Sequence, residues 1–167
     1  MAATAWGEVV MKIADTEALE TFPTTLVDLG DIMEDTLSIN KEDGTKLQLF
    51  KEGHILLDEL QTEPTLNITL TLVGISDVNK AKFWETTTSG SGDTAKFAVK
   101  ALTNTKKFAI QFAAVKVKGS DTFEAPKCTV QLSPIYSSKE GWKAEVSITI
   151  IKATTGVLFQ FGKVPTA

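Results

Sequence analysis

Thr65-Leu66-Asn67-Ile68-Thr69-Leu70-Thr71-Leu72 alternates without a break, with Leu or Ile at every even position and Thr or Asn at every odd one. A period of two sends successive side chains to opposite faces of a pleated strand. The even residues therefore predict a strand with one face in a core. The odd residues predict an opposite face that is polar but uncharged. Val146, Ile148 and Ile150, set among Ser147 and Thr149, repeat the pattern near the other end of the chain.

Working outward from this strand, shorter alternations fill most of the sequence. Leu37 and Ile39 precede Lys41-Glu42-Asp43-Gly44, after which Leu47 and Leu49 resume the period. Asp-Gly between two alternating runs predicts a hairpin turn, because Gly accepts the positive φ of tight turns. Ile55 to Leu60 forms a further apolar stretch that ends before Glu63-Pro64. Extended segments are also expected over Gly7 to Ile13, over about Leu26 to Ile32, and at Phe97/Val99, Phe108/Ile110/Phe112, Cys128/Val130/Leu132 and Val157/Phe159/Phe161. The apolar phase shifts between Phe112 and Val115/Val117, which predicts a bulge near Ala113-Ala114. Ser76 can cap a helix whose first residue is Asp77 and whose apolar side is Val78, Ala81, Phe83 and Trp84. That helix is expected over about residues 77–86, followed by a polar loop to Gly92. About nine strands and one helix emerge, with no long repeat and no internal boundary. The expected fold is mainly β: one domain over residues 1–167, an antiparallel β-sandwich or barrel with one flanking α-helix and an extended hairpin loop.

Composition agrees and excludes several functions. Threonine occurs 23 times, and β-branched and aromatic side chains suit a half-buried pleated surface. The formal charge is −4, and all 17 basic residues are lysines, since the sequence holds no arginine. Without the planar guanidinium fork, and with a net negative charge, the chain is a poor tight binder of nucleic acid. A single cysteine, Cys128, excludes an internal disulfide or a multi-cysteine zinc site, and its place beside Val130 and Leu132 predicts a small buried hydrophobe. The start Met1-Ala2-Ala3-Thr4-Ala5-Trp6 lacks the pattern of a signal peptide. No apolar run approaches the ~18 residues of a membrane span. Synthesis and folding in the cytoplasm are therefore expected, with no membrane contact.

A search for chemistry returns no catalytic residue, no cofactor site and no metal site. His54 is the lone histidine and has no nucleophile motif around it. The acidic groups Glu17/Glu20, Asp31/Glu34/Asp35 and Asp58/Glu59/Glu63 lack the spacing of a calcium loop and read as solvated charge. Gly90-Ser91-Gly92 follows the expected helix rather than a strand and lacks the Gly-Lys-Ser/Thr of a phosphate loop. Trp6, Trp84 and Trp142 could stack on a sugar or anchor a core or interface. An enzyme is not expected.

The order of features nonetheless resembles a known family. A hairpin at Leu37–Leu47 leads into an excursion over Lys51–Glu63. Glu63-Pro64-Thr65-Leu66-Asn67-Ile68-Thr69-Leu70 follows, then a short helix with Phe83-Trp84, then Phe123-Glu124-Ala125-Pro126-Lys127, and finally Glu140-Gly141-Trp142 before a last hairpin. Over roughly residues 26 to 161 this is similar to the tail tube proteins of long-tailed bacteriophages, whose fold is shared with the haemolysin-coregulated protein of type VI secretion. The resemblance implies a virion structural protein of a phage or prophage tail, assembled in the bacterial cytoplasm into hexameric rings that stack into a tube. It implies self-association, other tail proteins as partners, and DNA only as passing cargo. The polar face of Thr65, Asn67, Thr69, Thr71, Ser147 and Thr149 would then line the lumen. The excursion of about Lys41 to Glu63 would reach a neighbouring subunit, with Leu56, Leu57 and Leu60 as its apolar anchors. Three alternatives compete: a β-sandwich module binding carbohydrate or a surface ligand, another virion component such as a tail terminator or head decoration protein, and a hydrolase.

Overall fold

The computed structural model describes residues 8–14, 21–102, 106–114, 121–139 and 141–163. The expected start of the first strand at Gly7, Trp6, Val115/Val117 and the Gly119-Ser120 turn lie outside these residues. Twelve strands are formed among the described residues: β1 Val9–Ala14, β2 Val27–Ile32, β3 Ser38–Glu42, β4 Lys46–Lys51, β5 Ile55–Gln61, β6 Thr65–Val73, β7 Glu85–Ser89, β8 Lys96–Ala101, β9 Phe108–Ala114, β10 Asp121–Ser137, β11 Gly141–Ile150 and β12 Gln160–Lys163. The mainly β expectation holds, and of sandwich and barrel it is the barrel that forms. Six strands close in the antiparallel order β1-β9-β10-β11-β6-β2 and back to β1.

The alternation read from sequence is what closes the barrel. Ile68, Leu70 and Leu72 of β6 are buried with Val146, Ile148 and Ile150 of β11, Cys128, Val130 and Leu132 of β10, Ile110 and Phe112 of β9, and Met11 and Ile13 of β1. The seam between β2 and β6 is short, with Asp31 opposite Val73 and Ile32 opposite Leu72. Gly30 makes this approach possible. Its φ of +145° disfavours any side chain, and a Cβ there would lie 3.0 Å from the Val73 carbonyl oxygen.

Three sequence expectations are corrected. Asp43-Gly44 is not a hairpin turn, because β3 pairs with β6 and β4 pairs with β5. Both pairings keep one common register from Ser38↔Thr69 to Leu49↔Asp58, so β3–β4 and β5–β6 form a single long ribbon with its tip at Glu52–His54. Gly44 is not among the positive-φ glycines; a Cβ on it would collide with the Thr62 carbonyl, so its role is to let the two chains pass closely. Second, the flanking helix α1 covers only Asp77–Lys80. Phe83 and Trp84 turn into the core, and the β-branched run Thr86-Thr87-Thr88 extends as β7 against β8. Third, the β1–β9 register runs unbroken to Ala114, and a register shift lies instead in β10 between Ala125 and Cys128. Pro126, which has no N–H to donate to a ladder, occupies that shift.

The end of the barrel near α1 is plugged. Ser76 caps the helix by accepting from the Asn79 N–H at 3.3 Å, and the buried Asn79 side chain donates to the Asp28 carbonyl at 3.0 Å. The Trp84 indole donates to the Leu132 carbonyl at 2.8 Å, while the Phe83 ring meets Phe108 at 5.2 Å between centroids.

Candidate functional site

Three features follow from this frame: a polar sheet face, a protruding arm and an apolar groove. The face is the outer side of four adjacent strands, β3-β6-β11-β10. Register stacks its residues in rows: Asn40–Asn67–Thr149–Thr129 and Ser38–Thr69–Ser147–Gln131, then Thr71–Glu145–Ser133. All six residues read from sequence as one polar face therefore share it, since Thr65 lies opposite Glu42 at its edge. Thr149 Oγ1 donates to Asn67 Oδ1 at 3.3 Å, and Asn40 Nδ2 donates to Ser38 Oγ at 3.0 Å. Sequence reading missed Ser38, Asn40, Thr129 and Gln131, although each alternates with an apolar neighbour. The charge is low and sits at the margins, where Glu42, Glu145, Lys127 and Lys143 fall on the same alternation.

Both sides of this layer lack a strand partner among the described residues, although on one of them the Trp84 indole already donates to the Leu132 carbonyl. Ile68 pairs with Ile148 on one side and Ile39 on the other, so β3 is the outermost strand, and no described strand pairs with its far edge. At the opposite side, Cys128 is the last β10 residue paired with β9; beyond it, Thr129 to Ser137 pair only with β11 among the described strands.

The arm is the β4–β5 half of the ribbon, and every residue from Thr45 to Thr65 is exposed. Its two faces differ. Lys46, Gln48 and Glu59 share one, where Gln48 Nε2 donates to Glu59 Oε2 at 2.7 Å and Lys46 Nζ lies 3.5 Å from Glu59 Oε1. These contacts, the amide first and then the ammonium, hold the Glu59 carboxyl below its usual range. Leu47 opposite Leu60 and Leu49 opposite Asp58 make the other face; Leu49 and Leu60 are 61% and 64% exposed. Leu56 and Leu57, with Phe50 and Ile55, carry exposed apolar surface on toward the tip. The three leucines expected to anchor the excursion are thus all on the arm. His54 stands at the exposed tip with a φ of +60°.

The groove, of about 620 Å³, lies where β6 ends and β11 begins. Its apolar lining includes Trp84, Val99, Leu102, Pro134 and Trp142, and Lys80 and Lys143 are its charged members. Trp142 is 73% exposed and packs on Tyr136 with centroids 4.8 Å apart. Of the three tryptophans, then, one is a core plug and one is a surface ring. Cys128 is buried at the centre of the barrel, where desolvation pushes its thiol up to about 12. No group of three or more potential metal-ligating side chains gathers among the described residues. No protein-family model and no curated protein matches the chain.

Proposed function

We propose that the chain is a structural subunit that assembles into stacked rings, forming the DNA-conducting tube of a phage or prophage tail. The observation that carries this reading is the four-stranded layer with a near-neutral polar face and an edge on each side that no described strand covers. Its strand directions alternate, so β3 of one copy can pair antiparallel with β10 of the next under a simple rotation. An even number of strands keeps the alternation intact at every junction, and a rotation that closes produces a ring with no unpaired edge.

A ring of six copies closes a barrel of roughly 24 strands, whose ~4.8 Å spacing gives a backbone diameter of about 37 Å. Allowing about 5 Å of side chain on each wall leaves a bore of about 27 Å, enough for a nucleic-acid duplex. The middle of the wall then consists of hydroxyl and amide groups, with Glu42, Glu145, Lys127 and Lys143 toward its margins. Such a surface suits passage, because lysine–phosphate contacts would displace counterions and hold the cargo. Other tail proteins become partners at the two ends of the stack, and a cofactor has no part in the work.

Electron microscopy of concentrated protein tests the reading, with rings or tubes of uniform bore expected. A chain that stays monomeric across wide changes of salt, pH and concentration would falsify it. The exposed Trp142–Tyr136 pair supports a second reading, stacking on a sugar ring. Binding on a glycan array that Trp142→Ala abolishes, from protein that never forms rings, would favour that alternative.

A further inference from the structure

The two edges of the four-stranded layer are not alike. In an antiparallel pair each residue turns both its N–H and its C=O toward the partner strand or both away, in alternation. The Leu132 carbonyl accepts from the Trp84 indole at 2.8 Å, so Leu132 faces away from β11. Val130 and Pro134 then turn their backbone groups the same way. Pro134 fits this assignment, because a strand admits proline where the missing N–H would face an edge. A strand arriving at this edge therefore meets one carbonyl already taken and, at the next outward position, one donor missing. Proline is one of the devices that blunt a sheet edge, and Ser38–Glu42 of β3 contain none.

We propose that Trp84 is a latch on the β10 edge: its indole holds the Leu132 carbonyl in the free subunit and leaves it when a strand of a second copy pairs there. This rests on the ring reading above and names what restrains that joint. The indole and an incoming amide are alternative donors to one oxygen. Ring closure therefore exchanges one bond for another, and is disfavoured by whatever the indole contributes. An edge without such a restraint is a template for uncontrolled association. The latch can move without breaking the barrel. Trp84 sits between α1 and β7, and the β7–β8 hairpin pairs with no strand of the barrel. Its neighbour Phe83 stays anchored against Phe108. The groove of about 620 Å³ that Trp84 lines with Ile75, Phe97, Val99 and Leu102 gives the released ring apolar surroundings.

Trp84→Phe tests this, since it keeps a ring in the plug and removes the donor. Protein shown to be folded by its melting is taken through a concentration series, with rings read by sedimentation velocity and electron microscopy. Rings of Trp84→Phe are expected at a concentration about fivefold below that of the wild type, the effect of one neutral hydrogen bond at each joint. A merely structural indole gives the opposite sign, because a loosened plug leaves the threshold unchanged or raises it. A second readout follows the latch itself. Trp6→Phe with Trp142→Phe leaves Trp84 as the one tryptophan of the chain, and its emission is expected to change as rings close. Rings whose threshold is unchanged or raised in Trp84→Phe, or whose closure leaves the Trp84 emission unaltered, overturn the latch and leave the ring reading standing. No rings from either the wild type or Trp84→Phe removes both.

Discussion

Gly44 illustrates how a residue can be noticed for the wrong reason. Asp-Gly between alternating runs reads as a turn, yet the chain passes straight through, because the opposing Thr62 carbonyl leaves no room for a Cβ. Local spacing cannot reveal a partner 18 residues away. Gly44→Ala is expected to push the ribbon apart at its root, costing about 1–3 kcal/mol as overpacking does. Limited proteolysis should then cut the arm at lower protease concentration while the barrel fragment survives. Cys128, by contrast, was legible as a buried hydrophobe from its alternation with Val130 and Leu132. Because its folded-state thiol is raised to about 12 by burial, the neutral form is favoured. Its contribution is therefore complete below the unfolded thiol value of about 8.5 and is lost as pH rises from there toward about 12. Titration of thermal stability through that window should show a decline that Cys128→Ala reduces. A thiol reagent at pH 8 should label only unfolded protein.

At the level of elements, strands were readable wherever one face met the core and the other met solvent, as in β6 and β11. Pairing was less readable. Leu47 and Leu49 carry the same alternation as Ile68 and Leu70, but alternation says only that one face is apolar, not whether the molecule itself covers it. On the arm none of the described residues does. This separation predicts opposite outcomes for similar changes. Ile68→Ala, inside the barrel, should cost about 2–5 kcal/mol by opening a cavity. Leu47→Asp combined with Leu60→Asp, on the exposed arm, should alter the melting of the monomer by about 0.5 kcal/mol per site or less. The arm variant should nevertheless stop higher assembly, as read by sedimentation velocity. If it melts early and still assembles, the arm is part of the core rather than a connector. The missed strand β7 has a related cause: Thr86-Thr87-Thr88 pairs only with β8, on a hairpin largely outside the core, where burial leaves no hydrophobic period to read.

For the whole molecule the polar face is the decisive surface, and its six sequence-read residues were legible because alternation and composition agree. Its open edges were not, since they depend on which strands stop short of their neighbours. Two measurements address them together. If rings close by pairing β3 with β10, amides on the far edge of Ser38–Glu42 and on the open edge of Thr129–Ser137 should exchange quickly with solvent in dilute monomer. In assembled protein they should become protected to the degree of Ala144–Thr149 of β11, which has a strand on both sides. Unchanged exchange at both edges on assembly would mean that subunits meet elsewhere. The face itself can then be charged without touching the fold, because Thr69 and Ser147 point away from the core and stand in one row. Thr69→Lys with Ser147→Lys should leave the monomer's melting within about 1 kcal/mol, and, if the face lines a tube as proposed, should make the assembly retain DNA that the wild type lets pass. That retention should weaken steeply as salt rises, since each lysine–phosphate contact releases counterions. A filter-binding series against salt reads the slope. Equal DNA retention by wild type and variant would place this face on the outside of any assembly, where the aligned lysine pairs have no confined duplex to hold.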